Sequence, residues 1–538
     1  MSSDIQPFDT LGSAFLRMCR RNRGRQKVAD STGMRLTGGN LLLRTLVFRR
    51  LLLREVLGAD ERFVGLLLPP SVPGLLANAA LALSRRVAVN LNYTLSSDVV
   101  NHCIRVCGIR HVLTSRRVMR RLSLEVDAEL VYLEDLVGKV RLSDKLVAAC
   151  EAKLLPLGWL ERRLGLNETR PDDLFTVIFT SGSTGVPKGV MLSHRNVASN
   201  ALAMHEISQL RDDDVFLGIL PLFHAFGFTC TMWGVLTLNI QGAYHYNPLE
   251  AAAVGALCRD ERVTVMVGTP TLLRMYAKRC EPNQLASVEV VISGAEGLPT
   301  AVADAFEEKF GVRPYEGYGT TECSPLVAAN VPPQRARADD FLTAKEGTVG
   351  RPIPQVRVRV LDMESGEELP RNHPGRLQVR GPNVMLGYFE QPEATREVIQ
   401  DGWYDTGDVA EVDDDGFIRI TGRLSRFSKL GGEMVPHVRI EEVLAEVLGG
   451  GDELLAAVTS VDDPRKGERI VVLHKPLDRR PEEICQALAQ AGLPRLWIPS
   501  PDSFCQVDEL PLLGIGKLDL QQLKRMAQER FQMAAPGG

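Results

Sequence analysis

Leu174-Phe175-Thr176-Val177-Ile178-Phe179 runs straight into Thr180-Ser181-Gly182-Ser183-Thr184-Gly185-Val186-Pro187-Lys188-Gly189, and then into Val190-Met191-Leu192-Ser193-His194. The first six residues read as a short buried strand. The loop after it holds small hydroxylated residues and glycines and closes on a lysine. Such a loop suits a polyphosphate: glycine lets backbone N–H groups approach the oxygens, hydroxyls add donors, and Lys188 supplies a point charge. An ordinary Gly/Ser-rich surface loop has the same composition, so the neighbouring chain must decide. No Gly-Lys-Ser/Thr triplet closes the loop, which excludes a Walker loop. Ser181 stands two residues before Ser183, which excludes a Gly-x-Ser-x-Gly elbow.

Working outward, short apolar runs alternate with helical patterns through the first two thirds of the 538 residues. Arg62–Leu68, Arg110–Leu113, Leu130–Leu133, Phe175–Phe179, Val263–Val267 and Val288–Ile292 read as strands. Ser97–Cys107 and Thr300–Phe310 read as helices between them. This alternation predicts an α/β fold of sheets covered by helices. Around Gly350 to Val384 the pattern becomes β-rich, and helices are expected again near Arg439–Val447 and Pro481–Ala491. So long a chain exceeds one core, and we expect a large domain over 1–422 and a small one over 423–538.

Composition is that of a soluble globular protein, with 44% hydrophobic and 24% charged residues. A net charge of −4 gives no reason to expect nucleic acid. Ten scattered cysteines without a Cys-x-x-Cys pair argue for reduced thiols and against structural zinc. With no basic region followed by an apolar core at the N-terminus, a cytoplasmic location is expected. Pro69, Pro70 and Pro73 break the apolar run Val64 to Leu83, which reads as strand, loop and helix rather than a membrane span. Phe226 to Tyr246 carries Thr229, Thr231, Thr237, Asn239 and Gln241, and reads as a buried helix and strand. From Lys139 to Arg163, six Lys/Arg face three acids with Leu, Val and Trp159 interleaved. That stretch suits a plain surface helix, or peripheral contact with the inner face of a membrane.

Three more stretches carry chemistry. In Glu316-Gly317-Tyr318-Gly319-Thr320-Thr321-Glu322, an aromatic can cover a purine, a hydroxyl can meet a phosphate and a carboxylate can hold Mg²⁺. A tight turn reads equally well. Trp403-Tyr404-Asp405-Thr406-Gly407-Asp408 ends on an acid suited to paired ribose hydroxyls, or on a simple Gly-Asp turn. Pro511-Leu512-Leu513-Gly514-Ile515-Gly516-Lys517 ends on a lysine that by itself would be a solvated charge.

Together, in this order, these stretches resemble the adenylate-forming superfamily of acyl-CoA and acyl-ACP synthetases, luciferases and peptide-synthetase adenylation domains. The resemblance covers Phe8 to Met526 and implies ATP and Mg²⁺. It makes Thr180, Ser181, Gly182, Ser183, Thr184 and Lys188 the phosphate-binding residues. Gly294, Ala295 and Glu296, in Ser293-Gly294-Ala295-Glu296, resemble the adenine-edge loop. Tyr318 is then the adenine-stacking residue with Gly319 beside it, Thr321 a phosphate contact and Glu322 the magnesium ligand. Asp408 holds the ribose, backed by Arg423 in Gly416-Phe417-Ile418-Arg419-Ile420-Thr421-Gly422-Arg423. Lys517 resembles the catalytic lysine that bridges carboxylate and α-phosphate. His224 stands where relatives place a residue beside the carboxylate, or is a core histidine. Ser425 sits at the hinge, where relatives usually carry Asp or Lys.

Local matches narrow the resemblance. Asn90-Leu91-Asn92-Tyr93-Thr94, Asn101-His102-Cys103-Ile104-Arg105, Arg426 to Pro436 and Gly492 to Pro499 resemble the acyl-ACP synthetase half of bifunctional bacterial 2-acylglycerophosphoethanolamine-salvage enzymes. None of the nine histidines is followed five positions on by Asp, so the acyltransferase of those enzymes is not expected. The implied reaction turns a long-chain fatty acid into acyl-AMP, then passes the acyl group to the phosphopantetheine thiol of acyl carrier protein near Gly431–Gly432. A long-chain fatty acid CoA ligase, differing only in the thiol, is the alternative. A non-catalytic nucleotide-binding relative is a remote one. The apolar run at Phe226, Phe228, Met232 and Trp233 is read as a wall of the acyl tunnel, with core as the other reading.

Overall fold

The computed structural model describes residues 10–180, 187–336, 342–430, 433–449, 454–463, 467–511 and 518–532. Ser181, Gly182, Ser183, Thr184, Gly431, Gly432 and Lys517 lie outside them.

Two large sheets dominate, one of nine strands and one of seven. In the first, Gln26–Asp30, Gln241–Tyr244 and Val215–Gly218 run parallel, as do Val265–Gly268, Val290–Ser293 and Pro314–Gly319. In the second, Phe63–Leu66, Val87–Asn90, His111–Thr114 and Glu129–Tyr132 are parallel, and Leu174–Thr180 joins them before turning back as Lys188–Ser193. The predicted strands are therefore present with ends shifted by a few residues. The helices Ser97–Cys107 and Thr300–Phe310 fall where the sequence puts them. Between Val64 and Leu83 lie the strand, the loop and the helix Val72–Leu83.

That helix shows why the sheets stack. Ten of its twelve residues are buried, an all-round apolar pattern that only a helix packed on every side tolerates. Ser71 caps it, accepting from Gly74 N at 3.3 Å, and Pro73 lies in the first turn where its missing N–H costs nothing. Leu75 and Leu83 join the main core with Val28 of one sheet and Phe175, Ile178 and Leu192 of the other. Each such leucine contributes roughly 1.5–3 kcal/mol. Among the described residues no helix is long and apolar enough to cross a membrane.

The β-rich region forms a third, antiparallel sheet from Arg357–Leu361, Gly375–Arg380, Ile399–Gln400, Trp403–Val412 and Ile418–Arg423. Beyond it, Phe427–Leu430, Glu433–Pro436, Ala456–Asp463, Gly467–His474 and Phe504–Gln506 build a fourth sheet. The helices His437–Leu448 and Pro481–Gln490 cover one of its faces and Leu520–Gln532 packs on Ala456–Asp463. The two core clusters there contain only residues from Leu430 onward.

Candidate active site

The carboxyl ends of the parallel strands of both large sheets open into one cavity of about 1620 Å³. One side of its wall is made by the loops that follow those strands: Thr32, Pro69, Tyr93, Ser115, His224, Tyr246, Thr269, Ala295 and Thr321 each come after a different one. Backbone groups released from the ladders at this edge, and loops that the sheets do not constrain, make it the usual ligand crevice of an α/β sheet. His224, Ala295, Glu296, Gly319 and Thr321 all line it.

Lys188 is placed by a strand reversal. Thr180 and Lys188 are paired across the antiparallel ladder, at the end of the two strands. Gly189 follows because a Cβ there would come within 2.9 Å of Val177 Cγ1 and 3.3 Å of Phe389 Cβ. Ser193 then starts the helix His194–Ile207 through a reciprocal cap: its hydroxyl accepts from Asn196 N at 3.1 Å and its N–H donates to Asn196 Oδ1 at 2.8 Å. The Asn196 side chain also donates to the carbonyls of Pro382 and Val384, both at 2.8 Å. This pins the short strand Gly387–Tyr388 against Lys188–Ser193.

The pinned strand carries a residue the sequence reading did not single out. The Tyr388 hydroxyl donates to Glu322 Oε1 at 2.9 Å, and the Lys188 ammonium lies 4.9 Å from the centroid of its ring. Burial, then the Glu322 carboxylate, pushes the phenol well above its ordinary range and keeps it a donor. Glu322 itself sits in the turn Thr321–Cys323, and its carbonyl accepts from Met385 N at 2.8 Å. The signal was the Gly387-Tyr388 pair after a Pro-Asn turn, too short to read without its partner strand.

Asp408, Arg423 and Tyr318 form a second group. Asp408 and Arg423 are cross-strand partners, and Arg423 Nε donates to Asp408 Oδ1 at 2.8 Å. The Tyr318 hydroxyl donates to Asp408 Oδ2. Gly407 precedes the acid at φ +70°, a conformation suited to glycine. Asp408 is only 2% exposed, and burial pushes its carboxyl up against the pull of Arg423. Burial and the adjacent carboxylate push the Tyr318 phenol well above its usual value. Ser425 falls in the turn Leu424–Arg426, directly after this strand.

Ala295, between Gly294 and Glu296, takes φ +71°, which costs a non-glycine residue of order 1 kcal/mol and marks an over-determined turn. Gly294 N is held by Gly268 O at 3.0 Å, and Glu296 Oε2 accepts from Thr271 Oγ1 at 3.3 Å. His224 is half-buried beside Phe223, with ring centroids 4.6 Å apart.

The tunnel wall is corrected. Phe226 lines the cavity, but Phe228, Met232 and Trp233 do not: they are at most 1% exposed and belong to the core beside Phe175. Phe226–Trp233 is a π-helix, whose i→i+5 hydrogen bonding departs from the α-helical period on which the tunnel reading relied. The apolar wall comes instead from Leu43, Val47 and Leu51 of the helix Gly38–Glu55 and from Leu133, Leu136 and Val140.

The donor set suits Mg²⁺ held jointly with phosphate. Among the described residues no group of three or more His, Cys, Asp or Glu could hold a metal. The Glu322 carboxylate would offer a hard oxygen ligand whose remaining partners would be phosphate oxygens and water, as Mg²⁺ prefers.

Known proteins carry the same plan. The model of the AMP-binding enzyme family matches residues 15–389. A long-chain-fatty-acid–CoA ligase of Yersinia pestis is 31% identical over 430 residues, 77% of this chain and 72% of the relative. One of Thermus thermophilus is 32% identical over 366 residues, 66% of this chain and 65% of the relative. The ATP-bound crystal structure of MatB from Rhodopseudomonas palustris superimposes with a TM-score of 0.78 over 97% of this chain and 99% of that one, at 24% identity, a likeness of fold. With the family model matching residues 15–389, more than half of its length, the chain belongs to the AMP-binding enzyme family.

Proposed function

We propose that the protein is an AMP-forming acid–thiol ligase that joins a long-chain fatty acid to CoA. The observation that carries this reading is the cavity. It reaches from polar groups at Thr321 and His224 to an apolar wall on the Gly38–Glu55 helix, and its volume exceeds the 300–1,000 Å³ of ordinary ligand pockets. The names of the Yersinia and Thermus relatives support both the acid and the thiol.

In this reading a carboxylate oxygen of the fatty acid attacks the α-phosphorus of ATP and pyrophosphate leaves. The CoA thiol then attacks the acyl carbon of acyl-AMP, losing its proton as AMP departs. Lys188 and the Thr180–Thr184 hydroxyls hold the β- and γ-phosphates, while Lys517 offsets charge that develops at the α-phosphate. Glu322, oriented by Tyr388, would hold Mg²⁺, which supplies Lewis-acid neutralisation of the phosphates. Asp408 takes the ribose hydroxyls, with Arg423 and Tyr318 fixing its carboxylate. Tyr318 covers the adenine beside the Gly294–Glu296 turn. The two parts, 1–422 and 423–538, act as domains that turn about Ser425 between the half-reactions. Their separate cores support this division.

Acyl carrier protein as the thiol donor is the second reading, favoured by the local matches at Asn90–Thr94, Arg426–Pro436 and Gly492–Pro499. Purified protein with ATP, Mg²⁺ and palmitate, offered CoA or holo-acyl carrier protein in parallel, separates the two. Acyl-CoA as the main product is expected. Acyl carrier protein acylated with little acyl-CoA would overturn the choice of thiol and leave the adenylation intact.

A further inference from the structure

The cavity has a second end, far along the chain from Thr321. Val137 and Leu249 both line it, yet they are 73% and 62% exposed, so its apolar wall reaches the protein surface there. The exposed Arg117, Arg121 and Lys145 also line this region. Arg117 and Arg121 stand over the Tyr246 ring, 5.4 and 5.1 Å from its centroid, and so hold their charges at the rim.

The surface beside this mouth is unusual. The helix Leu142–Lys153 turns Asp144, Ala148 and Glu151 inward and leaves Leu142 (72%) and Leu146 (58%) outward, one turn apart on either side of Lys145. Single exposed apolar residues are ordinary, but several beside an apolar opening, ringed by cations, are not. Lys139 and Arg141 add two exposed charges, each only loosely paired, at 3.8 and 3.9 Å, with Glu55. The acids facing this patch are largely spoken for. Asp144 is buried on Arg54, Asp135 is held by Arg116, and Glu250 by Tyr246, His245 and Asn247, leaving Glu134 exposed.

We propose that this face docks on an anionic phospholipid bilayer, and that the mouth between Val137 and Leu249 takes the fatty acid from it. Leu142 and Leu146 enter the acyl boundary while Lys139, Arg141 and Lys145 meet lipid phosphates from their flexible stems. The substrate's carboxylate travels inward toward Thr321, and its tail trails toward the bilayer. The lipid-delivery step rests on the fatty-acid reading above; bilayer docking is tested apart from it.

Vesicle flotation of the full chain tests the docking. Vesicles of about 30% phosphatidylglycerol in phosphatidylcholine should carry the protein up, pure phosphatidylcholine much less, and about 0.5 M salt should weaken the binding. Leu142→Glu with Leu146→Glu, and separately Lys139→Glu with Arg141→Glu, should each lower the floated fraction about tenfold without moving the thermal midpoint. In fatty-acid-dependent ATP–pyrophosphate exchange, both variants should match the parent with free octanoate and fall severalfold with oleate supplied in anionic vesicles. A parent protein that floats with neither vesicle, or variants that float like the parent, would overturn the docking. Exchange with no carboxylate at all would instead count against the proposed reaction and leave the flotation result to stand by itself.

Discussion

Tyr388 donates to Glu322 Oε1 at 2.9 Å while its ring centroid lies 4.9 Å from the Lys188 ammonium, so one side chain contacts both the cation proposed for the phosphates and the carboxylate proposed for Mg²⁺. A hydrogen bond to a charged group contributes about 1.5–3 kcal/mol. Tyr388→Phe keeps the ring and removes that bond. Adenylation should fall about tenfold or more, and the Mg²⁺ concentration for half-maximal exchange should rise. An unchanged Mg²⁺ dependence would mean that Tyr388 only packs.

Lys517 is assigned to adenylation alone. Lys517→Ala should lower acyl-AMP formation by about two to three orders of magnitude, the usual cost of losing a charge-stabilising donor. It should spare thioester formation from synthetic acyl-AMP. Equal loss in both half-reactions would contradict the division of labour between the two domains.

The wall of the Gly38–Glu55 helix should set chain length. Val47 lines the cavity well away in sequence from Thr321, and Val47→Trp adds bulk there. Palmitate activation should drop about tenfold, while octanoate should change less than about twofold, because one misplaced methylene already costs 1–3 kcal/mol in a filled pocket. Equal effects on both acids would place the acyl chain elsewhere.

His194 should shape the acid limb of stability. Its Nδ1 accepts from Leu11 N at 3.2 Å, and burial lowers its pKa to about 4 from an ordinary 6.5. The folded state therefore keeps it neutral while the unfolded chain protonates below 6.5. Its contribution is present above 6.5 and is lost as pH falls from there through 4, of order 3 kcal/mol at the limit. Denaturant midpoints at pH 7 and pH 5 check this. His194→Gln, which keeps an acceptor, should narrow the gap between the two midpoints.

Much of the scaffold was legible because buried parallel strands and their covering helices print apolar runs of characteristic length. The strand before Thr180 and the helix Thr300–Phe310 are examples. The motifs singled out Asp408 and Arg423 one by one, but that they pair across neighbouring strands is visible only in the structure. What escaped depends on tertiary register. Tyr388 matters only because Asn196 holds its strand against Lys188–Ser193. Phe228 and Trp233 looked like tunnel wall because apolarity does not say which side of a helix faces a cavity, and a π-helix alters the helical period. The cavity's own wall, at Leu43 and Val47, reads in sequence as one more amphipathic helix.

The central claim is that the protein couples a fatty acid to AMP, and fatty-acid-dependent ATP–pyrophosphate exchange measures that step without any thiol present. Palmitate should drive incorporation of labelled pyrophosphate into ATP, with AMP and no ADP formed once a thiol is added. Absence of exchange with palmitate and with shorter acids, or release of ADP and phosphate instead, would contradict the account.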